Sequence, residues 1–365
     1  MPSPPTQLLR MLTASWLNVL LLAAPLSLAL RWHSGISVWV FVLAALSLIP
    51  AAGLIGTATE HLARRSGPTL GGFLNATFGN AAELIIAIAA LQAGHTEVVK
   101  ASITGSIIGN LLLVFGLSCY LGGLRHGRQK FNRIAAGSIT VMLFLATVAL
   151  VMPALVALVS FGSLEAHTAA IDRLSFWASF VLLGVYGSGL IFAFRAQRDP
   201  LRHNPGTEHG PRVGLAAALV LLGFATIVTA VEAEVLIEAL EPALSGLGMS
   251  ELFAGVIIVA LVGNAAEHYS AVTAARNDEM TLALEISIGS SAQIALMVAP
   301  VLVLLSYALG SPMSLVFNAF EIAAIGLSVL AVVLVSLDGE SNWLEGVQLL
   351  GVYIILALAF YMVPD

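Results

Sequence analysis

Residues 69–91 read TLGGFLNATFGNAAELIIAIAAL, and residues 255–276 read GVIIVALVGNAAEHYSAVTAAR. Each is an apolar run of the length that crosses a bilayer, roughly 20 residues. Each also carries the same polar insertion, GNAAE, at 79–83 and at 263–267. A shift of 184 residues lays one copy on the other and brings Gly105-Ser106 onto Gly289-Ser290. Without a gap, 72–116 and 256–300 are identical at 12 of 45 positions, where so biased a composition gives roughly four or five by chance. The chain is therefore built from two related halves.

Composition places both halves in a membrane. Of 365 residues 59% are hydrophobic and 10% charged, with a mean hydropathy of +0.97. A soluble domain has about 25% charged residues, so an ordinary soluble enzyme and a nucleic-acid-binding protein are both excluded. The net charge of −6 carries little weight when most charges sit in loops. The single cysteine, Cys119, forbids an internal disulfide and reads as small apolar packing.

Apolar stretches between charged or turn-forming clusters predict an all-α polytopic membrane protein with eleven transmembrane helices. They fall at 11–30, 36–59, 69–93, 101–124, 134–161, 174–194, 213–240, 251–275, 280–309, 313–337 and 343–363. The first also fits a signal peptide, with Arg10 before an apolar run, but it has no clear small-residue cleavage site before Arg31. The polar segment 197–212, QRDPLRHNPGTEHGPR, reads as a cytoplasmic linker. The expected organisation is an extra N-terminal helix (1–33), a five-helix repeat (34–196), the linker and a second five-helix repeat (213–365). An odd number of helices per repeat makes the repeats inverted, the architecture of many secondary transporters.

Alternate loops share the fifteen basic residues unevenly. One side takes Arg10, Arg64, Arg65, Arg125, Arg128, Lys130, Arg133, Arg195, Arg198, Arg202, Arg212 and Arg276; the other takes Arg31, Lys100 and Arg173. The positive-inside rule then puts the N-terminus in the cytoplasm and the C-terminus outside.

Acidic residues do enter the spans. Glu83, Glu232, Glu234, Glu267 and Glu321 fall inside them, with Glu60, Glu238 and Glu285 nearer the ends. A buried carboxylate without a fixed cation must hold a proton or meet a mobile cation, so this pattern reads as a cation pathway. In each GNAAE copy the Asn and Glu are three residues apart and share one side of a helix: Asn80 with Glu83, Asn264 with Glu267. Gly79 and Gly263 are the expected helix breaks, and an interrupted helix frees carbonyl oxygens. Two carboxylates, two amide oxygens and nearby carbonyls make an oxygen cage of the kind calcium accepts. If the glutamates face one another, metal expels protons and protons expel metal, which is exchange by mutual exclusion.

Blander roles fit some of these residues. Asn80 and Asn264 also suit a tie between helices, and Ser106, Ser290, Ser291 and Gln293 suit either interhelical hydrogen bonds or support behind the ligands. Glu321, in FNAFEIAAI, reads as structural, and His268 as bonded to a neighbour.

Through 69–91, ASITGSIIGNLLLVFGLS at 101–118 and GVIIVALVGNAAEHYSAVTAARNDEMTLALEISIGSSAQIALMVAPVLVLL at 255–305, the sequence resembles the calcium/proton exchanger (CAX) family of the calcium/cation antiporters. TATEHLA at 57–63, AEVLIEALEP at 233–242 and SNWLEGVQLLGVYIILALAF at 341–360 are weaker echoes. The resemblance implies that Glu83 and Glu267 bind calcium at mid-membrane beside Asn80 and Asn264, with Ser290 and Gln293 as polar support. It also implies that Glu60, Glu232 and Glu234 lie on two long gating helices, along the proton pathway. The chain departs from the family pattern in three places: the linker is short and basic, Ala260 stands where Pro is expected, and Glu285 replaces a small residue.

The expectation is an antiporter that exports Ca2+, other divalent cations being compatible, from the cytoplasm in exchange for H+ across a plasma (inner) membrane. It is not an enzyme, has no cofactor beyond the transported ions, and its partners are those ions and the lipid bilayer. The rivals are a sodium-coupled or manganese-preferring antiporter and a passive cation channel; an intramembrane hydrolase lacks a nucleophile–base constellation.

Overall fold

The computed structural model describes residues 4–13, 15–162, 169–196 and 214–363. The expected linker 197–212 lies outside the described residues, as do Arg198, Arg202 and Arg212. Almost everything described is helix, as a lipid environment requires, because a helix satisfies its backbone polar groups within one segment.

Among the described residues, seven helices are long and apolar enough to cross a membrane: Val38–Arg65, Thr96–His126, Arg133–Ser160, Ala169–Phe192, Leu215–Glu238, Met280–Ala308 and Trp343–Met362. An eighth candidate is a pair, Leu240–Leu247 and Glu251–Gly263, bent by 112°. The sequence predicts eleven transmembrane helices; these seven or eight are the ones long and apolar enough, and the shorter segments among the predicted spans each have a local cause. The first span divides into a 3-10 segment, Trp16–Leu22, and the helix Ala23–Ser34. The third breaks between Gly67–Phe78 and Ala81–Gln92. The eighth is interrupted at Asn264, and the tenth begins at Ala319 rather than 313.

The chain forms two compact units, and neither coincides with a sequence repeat. The first comprises 1–89 with 184–242, and the second 90–183 with 243–365. In the first, Val38–Arg65 packs along Leu215–Glu238 through Leu54, Ile55, Ala58, Ala217, Leu221 and Ala225. Met11, from the helix Pro4–Leu12, completes that cluster, and Gln7 Oε1 accepts from the Gly214 amide at 2.6 Å.

The second unit centres on Thr96–His126 and Met280–Ala308, each with a π-helical turn, at Gly109–Val114 and Ile294–Val298. The 184-residue shift lays 294–298 on 110–114, so the widened turn recurs at equivalent positions of the two helices. A third π turn, Ala254–Val259, packs on Thr96–Ile108. The crossing is close because Gly105 has no side chain: a Cβ there would lie 1.9 Å from the Val256 carbonyl oxygen. At one end of this unit Gln129–Lys130 pairs antiparallel with Glu340–Ser341, and Gln129 Nε2 donates to Ala275 O at 2.8 Å and Asp278 Oδ1 at 2.9 Å.

Candidate functional site

Both GNAAE copies fall where a helix is interrupted. The first break takes in Gly79 and Asn80, after which Ala81–Gln92 starts with Glu83 in its first turn. The second falls on Asn264 (φ −93°, ψ 10°), one residue beyond the expected Gly263, which is itself helical. Glu267 then lies in the first turn of Ala265–Arg276. Both carboxylates so sit at the N-terminal end of a helix, where unpaired N–H groups and the helix dipole favour negative charge.

The Asn264 amide is almost fully used. Its Nδ2 donates to Ser106 Oγ at 2.7 Å and to Ala260 O at 2.8 Å, while its Oδ1 accepts from Asn110 Nδ2 at 2.9 Å. All three polar side chains are buried. Asn264 therefore ties the break to Thr96–His126, which favours the helix-tie reading of this residue, and it brings Ser106 to the break. Ser291 Oγ bonds to Ile107 O at 3.2 Å, a second tie to the same helix.

Asn110 is the residue that the sequence reading missed. It sits one turn beyond Ser106 in an apolar run, and that i, i+4 spacing is the signal that pairs them on one face. Its own Oδ1 is buried with no hydrogen-bond partner among the described residues. Replacing Asn110 with Ala should strand the Asn264 oxygen as well, at a cost of about 1–3 kcal/mol. A thermal unfolding series in detergent checks this, and an unchanged midpoint would show that the tie contributes nothing.

Four Asn-x-x-Glu sequences in this chain stand at helix starts, and they are not used alike. Asn318 with Glu321 and Asn342 with Glu345 form reciprocal capping boxes, each side chain satisfying the other's backbone amide. Asn264 makes no such cap bond, so Glu267 is not closed into a box with it. Glu321 is further held by Thr104 Oγ1 at 3.0 Å, in keeping with its structural reading.

The remaining acids separate by environment. Glu83 is buried in the first unit with Asn80, while Glu267 is half-buried in the second. Ser290 is buried and Gln293 half-buried on Met280–Gln293. Glu60 is exposed and ion-paired with Arg64 one turn on. Glu234 and Glu285 are exposed. Glu232 is sealed in the first unit, where it accepts hydroxyl hydrogen bonds from Ser27 and Ser47.

Residues 36–195 and 216–362 match the family model described as sodium/calcium exchanger protein. The chain belongs to this family. Within it, the chain is 44% identical over 365 residues to a protein of Synechocystis sp. named Ca(2+)/H(+) antiporter, covering 95% of this chain and 97% of that one. It is also 44% identical to a protein of the same name from Aphanothece halophytica, covering 94% and 96%. Among solved structures, that of native YfkE superposes with a TM-score of 0.83 at 38% identity, covering 96% of this exchanger-family chain and 100% of that one. The resemblance read from the GNAAE regions thus holds over nearly the whole sequence.

Proposed function

We propose that this protein is a Ca2+/H+ antiporter that exports calcium from the cytoplasm by admitting protons. The observation that carries the reading is 44% identity, over 95% of the chain, to a protein named Ca(2+)/H(+) antiporter. The acidic residues inside apolar spans support it independently, since they suit a cation and its competing proton alike.

In this reading Glu83 and Glu267 are the paired ligands, one from each GNAAE copy. A carboxylate that carries a proton cannot offer full charge to a metal. Calcium entry therefore releases protons, proton entry releases calcium, and neither ion crosses without the other. Two carboxylates balance the divalent charge, and calcium's tolerance of six to eight irregular oxygen ligands fits amide and carbonyl oxygens at broken helices. Asn80 is the amide closest in sequence to the first carboxylate. Asn264, already tied to Ser106 and Asn110, serves mainly to hold its break in shape.

The topology that goes with this reading has eleven crossings, the extra N-terminal helix plus two inverted repeats of five. The N-terminus is cytoplasmic and the C-terminus external, in a plasma membrane. The broken and shortened segments then count as crossings, as interrupted helices do in transporters. The chain acts as a carrier rather than an enzyme and uses only its transported ions.

The experiment is calcium uptake into proteoliposomes with an imposed pH gradient, acid inside, run with and without a sodium gradient. Uptake should follow the proton gradient and ignore sodium. Sodium-driven uptake would replace the counter-ion, and uptake indifferent to every gradient would revive the channel.

A further inference from the structure

The first unit contains a buried polar cluster that joins three helices. Glu232, 1% exposed, lies on Leu215–Glu238; Ser27 and Ser47, both 0% exposed, lie on Ala23–Ser34 and Val38–Arg65. Ser27 Oγ is 2.8 Å from Glu232 Oε2 and 3.0 Å from Oε1, and Ser47 Oγ is 3.0 Å from Oε2. One carboxyl group thus joins three helices, one of them the extra helix that belongs to neither repeat.

The hydrogens can be counted. Ser27 Oγ also faces Ala24 O at 2.8 Å, and Ser47 Oγ faces Ala44 O at 2.8 Å. Two hydroxyl hydrogens serve four oxygen neighbours, so the cluster is short of donors, not of charge. Among the described residues no basic side chain pairs with Glu232. Two arginines on these helices are spent elsewhere: Arg31 pairs with Glu238 at 2.8 Å, and Arg64 pairs with Glu60. His33, Arg65 and Glu234 are exposed and His61 is half-buried, and none of them bonds to this carboxyl. The Arg31–Glu238 pair links Ala23–Ser34 to Leu215–Glu238 a second time, one turn past Ser27.

We propose that Glu232 is a positioning residue whose carboxyl, gripped by Ser27 and Ser47, locks Ala23–Ser34 to Val38–Arg65 and Leu215–Glu238 so that the three helices shift as one block during transport. Its role is to transmit motion, and it carries neither calcium nor the exchanged proton. The extra helix is then a working part of the moving unit. This inference rests on the antiporter reading.

The test joins the extra helix covalently to its partner. Arg31→Cys and Glu238→Cys, in a Cys119→Ala background, place two thiols where an exposed ion pair now stands, and a short bis-thiol reagent bridges them. Helices that move together tolerate the bridge, so the cross-linked protein should keep pH-driven calcium uptake within about twofold of its uncross-linked form. Loss of uptake on bridging would overturn the proposal, and absence of uptake in the parent protein would instead sink the antiporter reading.

A second arm uses Glu232 itself. Glu232→Ala should lower the maximal rate about fivefold with the half-saturating calcium concentration unchanged, because a buried hydroxyl pair loses its acceptor. Glu232→Gln supplies an acceptor and extra N–H donors, so it should restore the rate and leave the pH profile where it was. A displaced pH profile in the Gln variant, or a full rate in the Ala variant, would refute the positioning role. Should the Ala variant fail to fold, the cross-link still decides.

Discussion

Glu267→Gln and Glu83→Gln should each reduce pH-driven calcium uptake by at least about a hundredfold, the scale expected when a charge partner is taken from a desolvated ion. The substitution is nearly isosteric, so packing is kept, and on the proposed paired-ligand reading the missing quantity is one negative charge beside a divalent cation. It also removes a group able to hold a proton, so metal-driven proton release should vanish together with uptake. The control is Glu321→Gln. Glu321 closes a capping box with Asn318 and accepts from Thr104; glutamine serves in such boxes too, so transport should survive there. Proteoliposomes loaded with a pH-sensitive dye read both fluxes at once. Near-normal exchange in either variant would remove that glutamate from the site, and loss in Glu321→Gln would show that acids in this membrane interior are not separable by their hydrogen bonding.

That separation marks the limit of what the sequence carries. Hydropathy and the GNAAE repeat predict a helical membrane protein in two related halves, and the duplicated pentapeptide locates both helix interruptions to within a residue. Period and composition report which residues lie inside an apolar run. They do not report what an inside residue touches. Glu232 and Glu267 look alike on those grounds, yet one is gripped by two serines from other helices and the other heads a broken helix. Asn110 escaped notice for the converse reason: flanked by glycine and leucines, it reads as one polar residue in a span, and beyond its i, i+4 spacing from Ser106 its role rests on a partner 154 positions away.

Helix length and the number of predicted spans part company for a related reason. An apolar run of 25 residues is compatible with a straight span or with two short helices meeting at a break, and mean hydropathy is the same for both. Asn264 decides the matter locally, because its side chain turns to Ser106 and Asn110 instead of capping. The π turns at 109–114 and 294–298 are likewise invisible to a helical period, which a single extra residue per turn barely disturbs.

The repeat itself supplies the second large effect, through a pair of glycines that the 184-residue shift treats as equivalent. Gly105→Ala should destabilise the protein by about 3 kcal/mol or more, at the upper end of what overpacking costs, or prevent it from accumulating in the membrane. Gly289→Ala should stay within about 0.5 kcal/mol of wild type or gain slightly from helix propensity. At Gly105 a Cβ would fall 1.9 Å from the Val256 carbonyl oxygen and 2.6 Å from its Cα. Those are backbone atoms of a π-helical turn, and they have no rotamer with which to yield. At Gly289 no heavy atom beyond its own stretch of helix backbone lies within 4 Å of the same position. The consequence should reach the site, since Ser106 follows Gly105 directly and reaches Asn264 only while the two helices are this close. Thermal midpoints in detergent give the stability difference, and calcium uptake per folded molecule gives the functional one. If both alanine variants behaved alike, the close crossing of Thr96–Ile108 with Ala254–Val259 would not be what holds Ser106 against the break.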